Sequence, residues 1–281
     1  PLGVRFIFDH HDLNPELFEA KFGGKKGVFY WLVRLAEKLS YRSARVSIAT
    51  NESYRDIAIQ RGGMDPDRVF VVRSTPDLET SPSGRLCPEL KSGRPHLVVY
   101  RGVMGPQDGV DLLIESIALI VQRRGFEDST FALVGNGTEV PRLEAMVSQK
   151  GLDAVVRFPG RVPNQELADY ITTADVCVAP DPKNSMNDKS TMNKILEYMA
   201  YGRPVVLYDL TEGRRAAGDA ALYARPNDPR DFARLVMQLL DSEQLRRTLG
   251  AAGRRRIEQT LNWQFEKLEL LKAYHAALKG S

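Results

Sequence analysis

Asn187-Asp188-Lys189-Ser190-Thr191-Met192-Asn193-Lys194-Ile195-Leu196-Glu197-Tyr198-Met199-Ala200-Tyr201-Gly202-Arg203-Pro204-Val205-Val206 carries more of the fold than any other stretch of this chain. Met192, Ile195, Leu196 and Met199 repeat at the i, i+3, i+4, i+7 spacing of a helix that buries one face. Glu197 lies about 140° from Met192 at roughly 100° per residue, so it faces away from that stripe, beside Asn193 and Lys194. Asp188 and Ser190 are N-cap types. Gly202 stops the helix and Pro204 leads into an apolar strand.

The same grammar runs outward in both directions. Short runs rich in Val, Ile and Phe read as strands at 4–8, 45–49, 69–72, 96–100, 130–134, 155–158, 176–179, 205–208 and 221–223. Several are apolar throughout, as strands buried on both faces are. Helical periodicity fills the gaps at 26–42, 51–61, 110–123, 139–150, 164–172, 191–201, 229–242, 242–260 and 262–278. Alternating β and α with short connections predicts a doubly wound α/β architecture, whose ligands sit beyond the C-terminal strand ends.

One stretch interrupts the alternation. Residues 75–95 hold Pro76, Pro82, Pro88 and Pro95 with Gly84 and Gly93 and no clear period. The predicted division is therefore 1–80 as part of an N-terminal domain, 81–95 as linker, 96–262 as a complete second domain, and 263–281 as a helix returning toward the first. Three strands are few for a domain that folds alone. The chain enters a strand almost at once, and Pro1-Leu2-Gly3 and Gly280-Ser281 look like cloning remnants. The N-terminal domain is thus expected to be incomplete.

Composition narrows the classes. Hydrophobic residues make up 43% and charged residues 27%, ordinary for a globular protein. Lys+Arg number 39 and Asp+Glu 36, a net charge of +3, which does not point to nucleic acid. Cys87 and Cys177 match no metal spacing, and Cys177 lies in an apolar run, so a reduced cytoplasmic setting is expected. No apolar run approaches the roughly 18 residues that span a membrane.

The Asn187–Val206 segment resembles the signature of glycosyltransferase family 4, retaining enzymes of the GT-B fold with two Rossmann-like domains. That pattern is an acidic residue, seven residues, a glutamate, then Gly-x-Pro-Val-Val. The resemblance implies that Glu197 receives the ribose hydroxyls of a nucleotide-sugar donor. The strict position of the first acidic residue is Lys189; Asp188, one place earlier, is the candidate that faces the donor sugar, although as an N-cap type it also reads as a plain cap. Thr191 and Asn193 flank the same donor segment.

Other loops extend the likeness. Leu133-Val134-Gly135-Asn136-Gly137 is a strand running into a glycine turn, and Gly135, Asn136 and Gly137 correspond to a loop near the donor. Arg161 and Val162 follow the strand ending at Phe158-Pro159-Gly160, where main chain holds the base in such enzymes. In Tyr100-Arg101-Gly102-Val103-Met104-Gly105-Pro106-Gln107-Asp108-Gly109, the family's diphosphate-binding Arg and Lys are replaced by Val103 and Asp108. Lys194 is the expected substitute, with Lys189 and Arg101 behind it, and Gly105 brings a backbone donor close. His10 or His11, ending the first strand, corresponds to a histidine that approaches the donor sugar or phosphate.

The reaction so implied moves a sugar from a nucleoside diphosphate sugar to a hydroxyl acceptor, saccharide or lipid-linked, with no cofactor and no metal, in polysaccharide or glycoconjugate biosynthesis. The aromatic, basic helix Phe29–Arg42 reads first as a core helix; peripheral contact with the inner face of a membrane is the second reading. Two alternatives for the whole chain are a nonenzymatic GT-B-like binding or assembly module and a GT-B-shaped enzyme of sugar metabolism such as a nucleotide-sugar epimerase.

Overall fold

The computed structural model describes residues 5–21 and 26–279. Val4 and the terminal residues 1–3, 280 and 281, which carry parts of the expectations above, lie outside the described residues. The elements in order are β1 (Ile7–His10), α1 (Asn14–Lys21), α2 (Val28–Ser43), β2 (Val46–Ala49), α3 (Glu52–Gln60), β3 (Val69–Val71), β4 (His96–Val103), α4 (Val110–Arg124), β5 (Ser129–Asn136), α5 (Val140–Gln149), β6 (Val156–Gly160), α6 (Asn164–Thr173), β7 (Val176–Ala179), α7 (Asn193–Ala200), β8 (Val205–Tyr208), α8 (Thr211–Ala217), β9 (Ala221–Ala224), α9 (Pro229–Asp241), α10 (Glu243–Thr260) and α11 (Trp263–Leu278).

The chain divides into two units. The first comprises Pro1–Asp77, Asn184–Thr191 and Thr260–Ser281; the second comprises Leu78–Lys183 and Met192–Gln259. Residues 81–95, expected as a linker, are counted with the second unit and tied to it. The Arg85 guanidinium donates to Asp169, and Tyr201 Oη donates to the Pro82 carbonyl at 2.8 Å.

In the first unit three parallel strands lie in the order β1-β2-β3. Every residue of β2 is buried, as the centre of a parallel sheet requires. One sheet face packs Leu13, Tyr41, Ala49, Tyr54, Ala58 and Val69 together; the other packs Val46 and Ile48 against Ala273 and Ala277 of α11. β1 runs from Ile7 to His10, later than the apolar run at 4–8 suggested. Its partner decides this: the pairing Ile7↔Val46 to His10↔Ala49 carries it to the end of β2. Helix α1 was not read from the sequence, although Pro15 and Glu16 in its first turn are a start signal.

In the second unit all six strands are parallel, in the order β6-β5-β4-β7-β8-β9. From β4 the chain steps outward to β5 and β6, then returns to β4's other side and proceeds through β7, β8 and β9. The order thus reverses between β4 and β7, and the loops at their C-terminal ends flank the crevice where such sheets take ligands. The core is apolar and continuous, including Val98, Tyr100, Phe131, Leu133, Val178, Val206 and Phe232.

Candidate functional site

At the β4–β7 reversal a group of charged side chains of the second unit comes together. Strand β4 turns Tyr100 inward, where it is fully buried and donates from Oη to the Val103 carbonyl at 2.6 Å. Arg101, its neighbour, points the other way, as alternate strand residues do. Its Nε donates to Glu197 Oε2 at 2.6 Å and its Nη2 donates to Glu197 Oε1, a two-point fork. The Arg101 backbone N–H donates to Tyr198 Oη at 2.8 Å.

Helix α7 begins at Asn193, with Met192 at its N-cap and no side-chain cap. This corrects the reading of Asp188 and Ser190 as caps. Asn187–Lys189 instead forms one turn of tight helix, and Ser190 Oγ donates back to the Met186 carbonyl at 2.9 Å. The following residues are held elsewhere: Asn51 Nδ2 donates to the Lys189 carbonyl at 2.9 Å and to Thr191 Oγ1 at 3.2 Å, within the first unit. Ile195, Leu196 and Met199 are buried as the periodicity required, and Glu197 is about two-thirds covered, facing away from them.

Lys194 does not share Glu197's partial exposure. Its Nζ lies 2.8 Å from Asp181 Oδ1 and 4.8 Å from the centre of the Tyr100 ring, and both charged side chains are buried. Asp181 Oδ2 has no hydrogen-bond partner among the described residues. The Gly105 N–H is also engaged, donating to Asp108 Oδ2 at 2.9 Å. Burial, the largest influence, pushes the Asp108 carboxyl above its usual value against that hydrogen bond.

The glycines have a packing reason. A Cβ on Gly135, at φ +142°, would lie 1.8 Å from the Gly102 carbonyl oxygen; one on Gly137 would lie 2.3 Å from that of Met104. Both let β5 and its turn close against β4. Asn136 is exposed and its Oδ1 accepts from the Gly137 N–H at 2.8 Å. Arg161 is exposed and Val162 half-buried, just beyond edge strand β6.

Asp188 and Thr191 are counted with the first unit, as are His10 and His11. His10 is buried among the rings of Phe8, Tyr41 and Tyr54, and its Nδ1 lies 2.9 Å from Tyr41 Oη. Burial first, and the Arg61 guanidinium second, lower its pKa to about 4, so it is neutral at neutral pH. His11 is exposed, with Nε2 3.0 Å from Asp9 Oδ1. Among the described residues no group of three or more His, Cys, Asp or Glu side chains is placed to hold a metal. Lys189 Nζ lies 3.6 Å from Glu16, which also pairs with Arg61 at 2.5 Å. A cavity of about 440 Å³ opens beside His10, lined by Phe8, Leu17, Phe18, Val33 and Glu37.

The sequence reading missed Asp181 as a partner for Lys194, and the tie between Arg101 and Glu197. The signals were present: a lone arginine interrupts the apolar strand Val98-Val99-Tyr100-Arg101, and Pro180-Asp181-Pro182 ends β7.

Comparison with known proteins identifies the family and the fold. The family model "Glycosyl transferases group 1" matches residues 95–242. D-inositol 3-phosphate glycosyltransferase of Thermomonospora curvata is 29% identical over 262 residues, covering 86% of this chain and 59% of the relative. The protein of that name from Frankia alni is 30% identical over 246 residues, covering 82% and 58%. The chain therefore spans less than two thirds of either relative. Among solved structures, Anabaena Alr3699/HepE in complex with UDP and glucose superposes with a TM-score of 0.78 at 17% identity, over 97% of this chain and 72% of that one. Sucrose-phosphate synthase of Thermosynechococcus elongatus gives 0.77 at 20% identity, over 96% and 67%. Two parallel-sheet α/β units of this kind are those of the GT-B fold, and the chain belongs to the group 1 glycosyl transferases.

Proposed function

We propose that this chain carries the donor-binding part of a glycosyltransferase that moves a sugar from a nucleoside diphosphate sugar to a hydroxyl acceptor, with retention and without a metal, in polysaccharide or glycoconjugate synthesis. The observation that carries the reading is Glu197, a partly exposed carboxylate fixed at the point where the second unit's strand order reverses. In this reading it receives the ribose hydroxyls. The diphosphate lies toward Gly105 and the N-terminus of α4, whose backbone donors favour an anion. Lys194 contributes from below, its charge already balanced by Asp181. Asn193, Gly135, Asn136 and Gly137 border the donor, and main chain at Arg161 and Val162 meets the base.

By the family resemblance alone, Asp188, Thr191 and one histidine, all of the first unit, are the candidates for a role toward the sugar. His10, neutral and with Nδ1 engaged by Tyr41, suits a hydrogen-bonding role rather than a cationic one. Family membership favours this reading over the nonenzymatic module. The UDP complexes among the structural neighbours make UDP the first probe, with GDP as the second nucleoside diphosphate. Calorimetric titration of the 281-residue chain is expected to show saturable binding of one of them; no heat with any nucleoside diphosphate would end the proposal.

Peripheral membrane contact is supported by one surface. Val28, Phe29, Trp31, Leu32, Leu35 and Leu39 of α2 are exposed, against the expectation of a core helix, and Lys38 and Arg42 share the helix with them. An apolar face with aromatic and basic residues is the composition of helices that lie on anionic lipid. Among the described residues no helix is long and apolar enough to cross a membrane.

A further inference from the structure

The Arg101–Glu197 fork has a stoichiometry that matches a vicinal diol. An ionised carboxylate has about four lone-pair positions, two on each oxygen, and only accepts. Arg101 takes one position on each oxygen of Glu197. One position on each oxygen remains for two neighbouring O–H donors.

The fork also fixes the carboxylate. A glutamate with about a third of its side chain exposed would otherwise rotate about its last torsion. The guanidinium is planar and holds the carboxylate in its own plane, which a lysine's point charge does not do. Arg101 is itself anchored, since its N–H donates to Tyr198 Oη, and that hydroxyl donates to the Val178 carbonyl at 3.4 Å. β4, α7 and β7 are thereby joined at adjacent residues of α7. Charge points the same way: Asp108 and Asp181 already stand at this strand reversal, and an unbalanced Glu197 would repel a diphosphate.

We propose that Arg101 is a positioning residue that holds Glu197 for the two ribose hydroxyls and thereby sets the preference for ribonucleotides over deoxyribonucleotides. This rests on the assignment of Glu197 to the ribose made above. Arg101 acts through Glu197 and moves no proton in the reaction.

The test is calorimetric titration of the chain with UDP and GDP, each against its 2′-deoxy counterpart, in wild type, Arg101→Met, Arg101→Lys and Glu197→Gln, with the melting temperature of each. Wild type is expected to favour the ribonucleotide by about tenfold or more, one buried hydroxyl contact to a charged acceptor being lost in the deoxy form. Arg101→Met is expected to reduce that preference to below about threefold. Arg101→Lys keeps the charge and guards against a folding failure, yet is expected to lose most of the preference as well. If both arginine variants keep the full preference while Glu197→Gln loses it, the role of Arg101 is overturned and the ribose assignment stands. If wild type binds neither ribonucleotide, or binds ribo and deoxy forms alike, the ribose assignment fails and takes this inference with it.

Discussion

Lys194 Nζ and Asp181 Oδ1 stand 2.8 Å apart beneath the candidate donor site, both side chains buried, with the Tyr100 ring against the ammonium. A buried pair of this kind sustains little net stability, but losing one member strands the other charge. Lys194→Met is therefore expected to cost roughly 3–5 kcal/mol. The double variant Lys194→Met/Asp181→Asn should recover a large part of it. Urea unfolding of the single and double variants measures this; strictly additive losses would contradict the pairing.

His10 makes the first unit sensitive to acid. Its pKa is about 4 in the fold and near 6.5 when exposed, so the unfolded chain takes up a proton first as pH falls. Stability from this group is complete above about pH 6.5 and declines toward pH 4, by about 3 kcal/mol in all at 1.36 kcal/mol per unit. Chemical denaturation between pH 7 and pH 4 should show this slope in wild type and a shallower one in His10→Phe. Equal slopes would mean that other groups set the acid response.

Two glycines with positive φ separate close approach from conformational freedom. Gly135 meets the Gly102 carbonyl, whereas Gly151, at φ +66°, has open space where a Cβ would go. Gly151→Ala is expected to cost about 1–2 kcal/mol, the left-handed backbone penalty alone. Gly135→Ala should cost clearly more, because β4 and β5 must part. Melting temperatures of the two variants give the comparison, and a milder effect at Gly135 would contradict the close approach.

The exposed face of α2 makes the membrane proposal testable. Co-sedimentation with vesicles rich in phosphatidylserine is expected, weakened by Trp31→Ser/Leu35→Ser and by raised salt. Equal binding by the variant would remove α2 from the account.

Most of the second unit was legible because its strands are apolar runs and its longer helices carry clean stripes; the seven-residue helix α8, too short for a repeating stripe, was not read. Glu197 was legible for the same reason: the helical wheel put it opposite Ile195 and Met199. Lys194 shows where the wheel stops. It was read as sharing the face of Glu197, but its long side chain reaches Asp181, whose position depends on β7 lying beside β4. Pairing across a sheet leaves no local trace. Asp188 and Ser190 failed as caps for a related reason, since Asn51, more than a hundred residues earlier, ties the Lys189 carbonyl and Thr191 Oγ1, and the chain between them is extended at Ser190. Helix α1 is short and its period is weak, and β1 was displaced because its limits are set by β2.

In the proposed function Glu197 receives the ribose of a bound nucleotide. The decisive measurement is a crystal structure of the chain with a nucleoside diphosphate. Both ribose hydroxyls are expected at about 2.5–3.0 Å from the Glu197 carboxylate oxygens, with the Arg101 fork in place behind them. A nucleotide ordered in the second unit with its ribose hydroxyls held by other groups, and Glu197 paired to Arg101 away from it, would rule that role out.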